Sequence, residues 1–422
     1  MRVSIKLHYG KKWVDVDLPE DQILAVIDPK DQPGVSDEIA EIKRALDNPI
    51  GCDFFSNLSK RDGNAIIICD DYTRPTPAHK ILPILLNRLN ESGIEDVKII
   101  IGSGTHRPMS EEEIKNKVGN KIIQRIMVMN HEWMNPETFV SLGKTPSGIP
   151  ISVNKHVMNS KIKIGLGSIG PHNISGWSGG AKIIVPGVCS SETTGYTHWI
   201  SARYPDEKII GVVDNPVRRE MEQVAKYVGL DFIVNTVLNR ENKIVKVVAG
   251  DFVKAHRKGV EFSEQVYKVK VPEKADIVIC DSHPFDVNLW QAVKAIFAAS
   301  LVVKKGGTIV LLAQCLEGIS DEHPEISRIG YRPYSEVKLL LERGEVKDLC
   351  AMSDAARVGN IITEKAKVIM CSEGISEEET KRLNFDYAKT PQEAVNKALV
   401  QKGSDSKIVV LRSASELLPY VK

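Results

Sequence analysis

Short apolar runs of strand length alternate with longer amphipathic stretches along the chain, and this alternation is what most constrains the fold. Residues 64–70 predict a buried strand, and residues 76–90 predict a helix because leucine and isoleucine recur there at helical spacing. Further strands are predicted at residues 97–101, 161–166, 275–280, 307–313 and 407–411, and further helices after Ser110, where a capping box begins, and at residues 288–303. Such alternation is typical of α/β layers.

The length of the chain and one polar turn predict two α/β domains. A chain of 422 residues is expected to form about two or three domains. A polar turn at residues 272–274 separates a charged segment from a new strand–helix–strand unit. We therefore expect an N-terminal domain over residues 1–271 and a C-terminal α/β domain over residues 272–422, with the active site in the cleft between them. The strand at residues 407–411 could pack on either domain.

Composition excludes several classes of protein. The 56 basic and 55 acidic residues are nearly balanced, so nothing indicates a nucleic-acid surface. An apolar run of 18 residues, which a membrane span would need, is absent from the sequence. The seven cysteines are odd in number, scattered and without CxxC spacing, which argues against a disulfide framework and a thiolate zinc site. We expect a soluble, reduced, cytoplasmic protein.

A glycine-rich stretch at residues 165–187 is the most informative segment for function. It is too rich in glycine to form a packed element, yet it contains His172 and Lys182 on backbone that can approach a ligand closely. This combination favours a chemical site over a surface turn. His106 follows another predicted strand and glycine turn, so His106 and His172 are candidates for paired acid/base work.

Polar loops follow four of the predicted strands, at residues 70–75, 102–107, 168–172 and 281–286. Ligands bind beyond the carboxyl ends of the strands in open α/β sheets, so we expect the four loops to converge on one site.

Two other interpretations remain open from the residues alone. Residues 165–170 match the GxGxxG dinucleotide fingerprint, but proline and further glycines follow where a helix should begin. A nicotinamide-dependent dehydrogenase is therefore one rival. A non-catalytic nucleotide-binding or cofactor-carrier protein is another, although binding alone would need neither His106 nor His172.

Five blocks, in this order and spacing, resemble the nickel-dependent lactate racemase family. The resemblance spans most of the chain, and the combination is far more specific than any single block. The blocks are residues 71–74 (DYTR), residues 104–109 (GTHRPM), the stretch from His172 through Lys182 to Gly187, His198, and residues 290–294 (WQAVK).

The resemblance implies a cofactor and a set of site residues. The cofactor is Ni(II)-pyridinium-3,5-bisthiocarboxylate mononucleotide, the nickel pincer, attached covalently at Lys182 with His198 as the protein's nickel ligand. The remaining implied roles are cofactor contacts for Asp71, Tyr72, Thr73 and Arg74, the two catalytic bases for His106 and His172, and substrate binding for Arg74, Gln291 and Lys294.

The implied reaction is racemisation or epimerisation of a 2-hydroxy acid. A neutral imidazole is too weak a base for the hydrogen on C2, so the hydroxyl proton and a hydride would leave together and give a planar 2-keto acid. One base is needed for each configuration, hence two histidines. Partners would be the small acid and the enzymes that make the cofactor, with no nucleic acid or membrane; the oligomeric state is open.

The sequence departs from the family pattern in the region expected to line the substrate pocket. Lactate racemases of this family place a tryptophan in the C-terminal domain, but no tryptophan follows Trp290, and residues 348–354 (DLCAMSD) differ in kind. Trp290 itself occupies a position at which members of the family usually have a tyrosine. Lactate is thus the default substrate, and a larger or more polar 2-hydroxy acid is the near alternative.

Overall fold

The computed structural model describes residues 1–58 and 63–421. The chain divides into two compact units. The central unit contains residues 31–198 and 211–266, and the terminal unit contains residues 1–30, 199–210 and 267–422. Across the described ranges, no helix combines the length and the apolar character that crossing a membrane would require.

The central unit is built on a six-stranded sheet. Five strands are parallel, and Ile244–Gly250 at one edge is antiparallel to its neighbour. The inner strand Ala65–Asp70 is buried at every position, which explains why it reads as a continuous apolar run. In spatial order the strands are Ile244–Gly250, Phe232–Leu238, Ile162–Ser168, Ala65–Asp70, Val97–Gly102 and Met127–Asn130.

Helices and two small antiparallel pairs complete the central unit. Five of its helices place apolar side chains in one core with Ile67, Ile99 and Ile164. They are Glu38–Asp47, Phe54–Leu58, Ala78–Glu91, Glu111–Val118 and Asn120–Ile123. The other α-helices are Lys155–Met158, Pro216–Val228 and Lys254–Tyr267, with Ser191–Ser201 beginning here as well. The antiparallel pairs are Phe139–Lys144 with Pro150–Asn154, and Pro171–His172 with Gly176–Trp177.

The terminal unit contains a second six-stranded sheet, which is entirely parallel. Its strands in spatial order are Asp386–Ala388, Ala366–Cys371, Val303–Leu312, Ala275–Asp281, Ile408–Leu411 and Ile23–Ile27. Its α-helices are Leu289–Ala292, Lys294–Ser300, Glu325–Ile329, Tyr334–Glu342, Leu349–Asn360, Glu377–Arg382 and Pro391–Lys402. The hairpin Arg2–Tyr9 with Lys12–Pro19 and the short pair Lys268–Lys270 with Leu418–Tyr420 complete it.

The predicted α/β class is confirmed, and the predicted strands lie within about two residues of the observed ones, apart from one that starts earlier, at Val303. The capping box at Ser110 is present. The helix expected over residues 288–303 is instead two short helices, Leu289–Ala292 and Lys294–Ser300.

The division of the chain differs from the expected boundary at residue 272. Residues 1–30 group with the C-terminal part because Ile23–Ile27 pairs with Ile408–Leu411, and because Leu7 and Leu18 of the hairpin pack into the same core. The strand at 408–411 therefore belongs to the terminal unit, with Ile23–Ile27 on one side and Ala275–Asp281 on the other.

The glycine-rich stretch is packed, contrary to the expectation from its composition. Trp177 and Ser175 are completely buried. Gly187 lies so close to the preceding turn that a Cβ atom there would sit 2.0 Å from the carbonyl oxygen of Ile183. Here glycine is required because two backbone segments touch.

We expect Gly187→Ala to lower the free energy of unfolding by more than about 3 kcal/mol, because the clash is with backbone that cannot move aside. Gly229→Ala is the matched control: its φ is 77°, but the added methyl meets nothing within 4 Å, so a loss of about 1 to 2 kcal/mol is expected. Urea denaturation measures both. Equal losses would contradict the assigned close approach.

Candidate active site

Three polar loops leave the carboxyl ends of neighbouring strands in the central unit. The strands are Val97–Gly102, Ala65–Asp70 and Ile162–Ser168, which lie side by side. The fourth predicted loop, at residues 281–286, follows Ala275–Asp281 in the other sheet. It is therefore not part of this sheet edge, because apolar patterning does not tell which of two sheets a strand joins.

The three loops line a pocket with about 480 Å³ of empty space, including its part open to solvent. The pocket brings together five of the predicted site residues: Asp71, Thr73, Arg74, His106 and Lys182. Tyr72, His172 and His198 are not among its lining residues. The lining also contains polar residues that sequence reasoning did not single out, namely Asp70, Ser103, Ser168, Ser178 and Asn235.

Asp71 and His106 form a hydrogen-bonded dyad. Nδ1 of His106 lies 2.6 Å from one carboxylate oxygen of Asp71, and the other oxygen accepts from the Thr73 hydroxyl at 2.6 Å. Burial raises the pKa of Asp71, but the charge and hydrogen bond of His106 and the charge of Arg74 outweigh it and hold that pKa well below its usual range. Asp71 therefore accepts the Nδ1 proton, which leaves Nε2 of His106 with a lone pair that can take a proton.

Lys182 is a half-buried amine that lines the pocket, with both arginines and aspartates nearby. Burial lowers the pKa of Lys182 to about 7, and the neighbouring charges of Arg74 and Arg218 act in the same direction. A substantial fraction of this amine is neutral near pH 7, and a neutral amine is the nucleophilic form.

Arg218 is a functional candidate that sequence reasoning missed. Its guanidinium is completely buried and donates to the carbonyl oxygens of Gly179, at 3.0 Å, and Trp177. The amide oxygen of Asn235 accepts from the backbone N–H of Gly180 at 2.8 Å. These contacts fix the turn that begins the short helix Gly180–Ile183, which carries Lys182. No local pattern marks an arginine that binds backbone so far away in the sequence.

Lys117 is the second missed residue. Its ammonium group lies 2.7 Å from a carboxylate oxygen of Asp70 and donates to the carbonyl oxygens of Asp71 and Arg74, at 3.0 and 2.7 Å. Asp70 also accepts from the Thr76 hydroxyl at 2.5 Å. The buried ammonium group of Lys117 therefore holds the backbone of the Asp71–Arg74 loop in place.

His172 has the opposite hydrogen-bond arrangement to His106. Its Nδ1 accepts from the backbone N–H groups of Ile174 and Ser175, at 3.1 and 3.4 Å. The neutral ring therefore carries its hydrogen on Nε2, which is a donor. His172 can accept a proton on Nδ1 only by giving up these two bonds.

His198 has the hydrogen-bond arrangement of a metal-binding imidazole. Its Nδ1 lies 2.8 Å from the carbonyl oxygen of Thr194, so Nδ1 donates and Nε2 keeps its lone pair. Within residues 1–58 and 63–421, no group of three or more His, Cys, Asp or Glu side chains is placed to hold a metal ion. A metal at His198 would therefore need further ligands from a bound cofactor.

The remaining predicted site residues have these positions. Tyr72 is partly exposed, and the Arg107 guanidinium lies 4.2 Å from its ring centroid. Gln291 and Lys294 belong to the terminal unit, where the Lys294 ammonium donates to the amide oxygen of Gln291.

The GxGxxG match does not form a dinucleotide-binding turn. Gly165 and Gly167 lie inside the strand Ile162–Ser168, and the next element is the two-residue strand Pro171–His172 rather than a helix. A Cβ at Gly165 would lie 2.6 Å from the Ile183 side chain, so this glycine allows close packing. The structure therefore lacks the feature on which the dehydrogenase alternative rests.

Comparisons with known proteins agree on one family. The lactate racemase N-terminal domain matches residues 9–209, and the lactate racemase C-terminal domain matches residues 270–416. The lactate racemase of Thermoanaerobacterium thermosaccharolyticum is 33% identical over 422 residues, with 97% of each chain covered. That of Lactiplantibacillus plantarum is 30% identical over 419 residues, with 94% of this chain and 98% of the relative covered.

Solved structures show the same fold. The lactate racemase apoprotein from T. thermosaccharolyticum has a TM-score of 0.89 and 32% identity, with 99% of this chain and 100% of that chain covered. A Thermotoga maritima protein has a TM-score of 0.70 at 24% identity, covering 87% and 97%. The second comparison bears on the fold alone.

We expect the Lys182 amine to titrate near pH 7, losing its charge as the pH rises through that value. NMR of protein carrying ¹³C- and ¹⁵N-labelled lysine measures this, and Lys182→Met assigns the signal by removing it. Arg74→Met should move the midpoint upward, because a neighbouring positive charge is lost. A midpoint near the ordinary lysine value of 10.5 would contradict the assigned environment.

Proposed function

Because this chain belongs to the lactate racemase family and is an isomerase, we propose that it inverts C2 of a 2-hydroxy acid, with lactate as the default substrate. The observation that carries the proposal is the Asp71–His106 dyad in the same pocket as the half-buried Lys182 amine. The dyad provides a base for the substrate hydroxyl, and the amine provides an attachment point for a cofactor.

We propose that the cofactor is the nickel pincer nucleotide, attached at Lys182 and bound through nickel by His198. The lowered pKa of Lys182 and the Nε2 lone pair of His198 support this assignment. Glycines keep the pocket open: a Cβ at Gly102 would lie 3.3 Å from Gly187 backbone, and one at Gly167 would lie 3.2 Å from the Asp70 carboxylate. Tyr72, Thr73 and Arg74 are proposed as further cofactor contacts.

When bound, the cofactor supplies an acceptor for the hydride of C2, so the acid can pass through a planar 2-keto acid. The role of His106 is to remove the hydroxyl proton, which its Nε2 lone pair permits. The guanidinium of Arg74 stabilises the negative charge that develops on the oxygen. Gln291 and Lys294 are proposed to bind the carboxylate, for which the Lys294 ammonium provides the opposite charge.

His106 and His172 are proposed to serve opposite configurations of C2. Their hydrogen-bond arrangements make them unequal, because His106 already presents a lone pair on Nε2 while His172 presents a hydrogen there. His172 must therefore exchange its bonds to Ile174 and Ser175 before it takes a proton. Because of this rearrangement, we expect the proton-removal step to differ in rate between the two directions of the reaction.

We propose that this reaction takes place in the cytoplasm, with cofactor-synthesis enzymes as partners for loading. Cysteines of the described residues form no disulfide, which is typical of a reducing compartment.

Intact-mass and metal analysis tests the cofactor assignment. Protein from a host that also expresses the cofactor-synthesis enzymes should carry a nickel-containing adduct. Lys182→Arg keeps a positive charge but has no amine that can form the thioamide, so it should lack the adduct. His198→Gln should keep the organic adduct and lose nickel. An adduct that persists in Lys182→Arg would exclude this attachment.

Rapid-quench measurement of the 2-keto acid tests the two-histidine assignment. In the cofactor-loaded enzyme, His106→Gln should slow keto-acid formation from one enantiomer by about 100-fold or more. The rate from the other enantiomer should change little. His172→Gln should show the reverse preference. If either variant slows both enantiomers equally, the histidines do not divide the two configurations between them.

A further inference from the structure

Several buried polar atoms in the terminal unit have no hydrogen-bond partner among the described residues. Nε2 of His323, Oδ1 of Asp354 and Nε and Nη1 of Arg357 are among them. These three residues are 3%, 4% and 2% exposed. A buried polar atom without a partner costs roughly 1 to 3 kcal/mol, so each of these atoms requires a partner, which a bound ligand or an ordered water can supply.

His323 is held in one orientation by two contacts. Nδ1 lies 2.6 Å from an oxygen of Asp348, and the ring packs on Trp290 with centroids 4.2 Å apart. Burial raises the pKa of Asp348, but the hydrogen bond and charge of His323 outweigh it and lower that pKa. Asp348 therefore accepts the Nδ1 proton, so in the neutral form of the ring the lone pair lies at the opposite edge, on Nε2.

Asp348 also has a structural task. Its other oxygen accepts from the backbone N–H groups of Cys350 and Ala351, at 3.0 and 3.1 Å, and so caps the helix Leu349–Asn360. Asp348 therefore positions both the helix and the His323 ring. The helix cap does not involve Nε2 of His323, so it provides no partner for that atom.

Asp354 lies in the same electrostatic neighbourhood as the proposed carboxylate-binding residues. Burial raises its pKa to about 6, while the charges of Arg357, His323 and Lys294 act against that rise. Near pH 7 it is mostly a carboxylate, which only accepts hydrogen bonds. Arg357 pairs with Asp206 through Nη2, at 2.6 Å, which leaves its Nε and Nη1 without a hydrogen-bond partner among the described residues.

The charges and hydrogen-bonding atoms of His323, Asp354 and Arg357 determine which kind of ligand can bind there. Oδ1 of Asp354 and Nε2 of a neutral His323 accept hydrogen bonds, whereas Nε and Nη1 of Arg357 donate them, so the ligand must both donate and accept. A second carboxylate would be repelled by Asp354, and an ammonium group would meet the charges of Lys294 and Arg357. A methyl group would leave all of these atoms unpaired. Neutral hydroxyl groups can donate to the acceptors and accept from the arginine without adding charge.

We propose that His323 and Asp354 bind hydroxyl groups of the substrate beyond C2, so that the enzyme prefers a longer, polyhydroxylated 2-hydroxy acid to lactate. This inference rests on the proposed function, because it takes the carboxylate of the same substrate to lie on Gln291 and Lys294. Such a substrate has further stereocentres, so the reaction inverts one of several and is an epimerisation.

The test compares matched acids on the cofactor-loaded enzyme. Glycerate, threonate and gluconate are each paired with the 2-hydroxyalkanoate of the same chain length, and the change at C2 is followed by chiral chromatography or NMR. We expect kcat/KM for at least one hydroxylated acid to exceed that of its partner more than about tenfold, since a site built to bind a hydroxyl rejects the analogue without it.

Variants separate recognition from folding. Asp354→Leu and His323→Phe should lower kcat/KM for the hydroxylated acid about tenfold or more and leave the alkanoate unchanged or improved. Asp354→Asn keeps an oxygen acceptor at the same place and should retain most of the preference, even if the apolar variants fold poorly. Equal losses for both classes, or a wild-type enzyme that prefers the alkanoates, would overturn the inference.

Calorimetric titration of the same acids gives a readout that is independent of turnover. Tighter binding of the hydroxylated acid, lost in Asp354→Leu, supports the inference even if the loaded enzyme converts neither class, a result that would count against the proposed function alone. Conversion of lactate with no preference for hydroxylated acids in binding or turnover would reject the inference and keep the proposed function.

Discussion

The buried ammonium group of Lys117 is the interaction on which the candidate site depends. It neutralises Asp70 and holds the carbonyl oxygens of Asp71 and Arg74, so one cation fixes the loop that carries both the dyad carboxylate and a site arginine. Loss of one partner from such a buried pair typically costs about 3 to 5 kcal/mol, because the other charge stays buried. The loop backbone is therefore held by contacts within the protein.

The charges around the pocket determine which of its ionisable groups are charged near pH 7. Arg74 and Arg218 disfavour a charged Lys182, and His106 keeps Asp71 ionised. In both cases burial shifts the pKa of the group, and the nearest like or opposite charges add a further shift. A neutral Lys182 amine and an ionised Asp71 carboxylate can thus coexist near pH 7.

Local pattern was enough to predict much of the fold and of the site. Buried parallel strands such as Ala65–Asp70 are continuous apolar runs in the sequence. Several candidate site residues follow these strands directly, so their position in the sequence predicted that they lie at the carboxyl ends of the strands. The roles proposed for Lys182 and His198 came from the family resemblance and not from local pattern. Arg218 and Lys117 were missed because they act on backbone far away in the sequence. The same limit applies to Ile23–Ile27, whose sheet partner lies near the other end of the chain.

That pairing has a consequence for biosynthesis. Ile23–Ile27 is synthesised well before its neighbour Ile408–Leu411, because the whole central unit lies between the two strands in the chain. At roughly 5 to 20 residues per second the early strand waits on the order of tens of seconds with an unpaired edge. The central unit can complete its own sheet during that interval. The surroundings of Lys182 can thus fold before residues 1–30 have a sheet on which to dock.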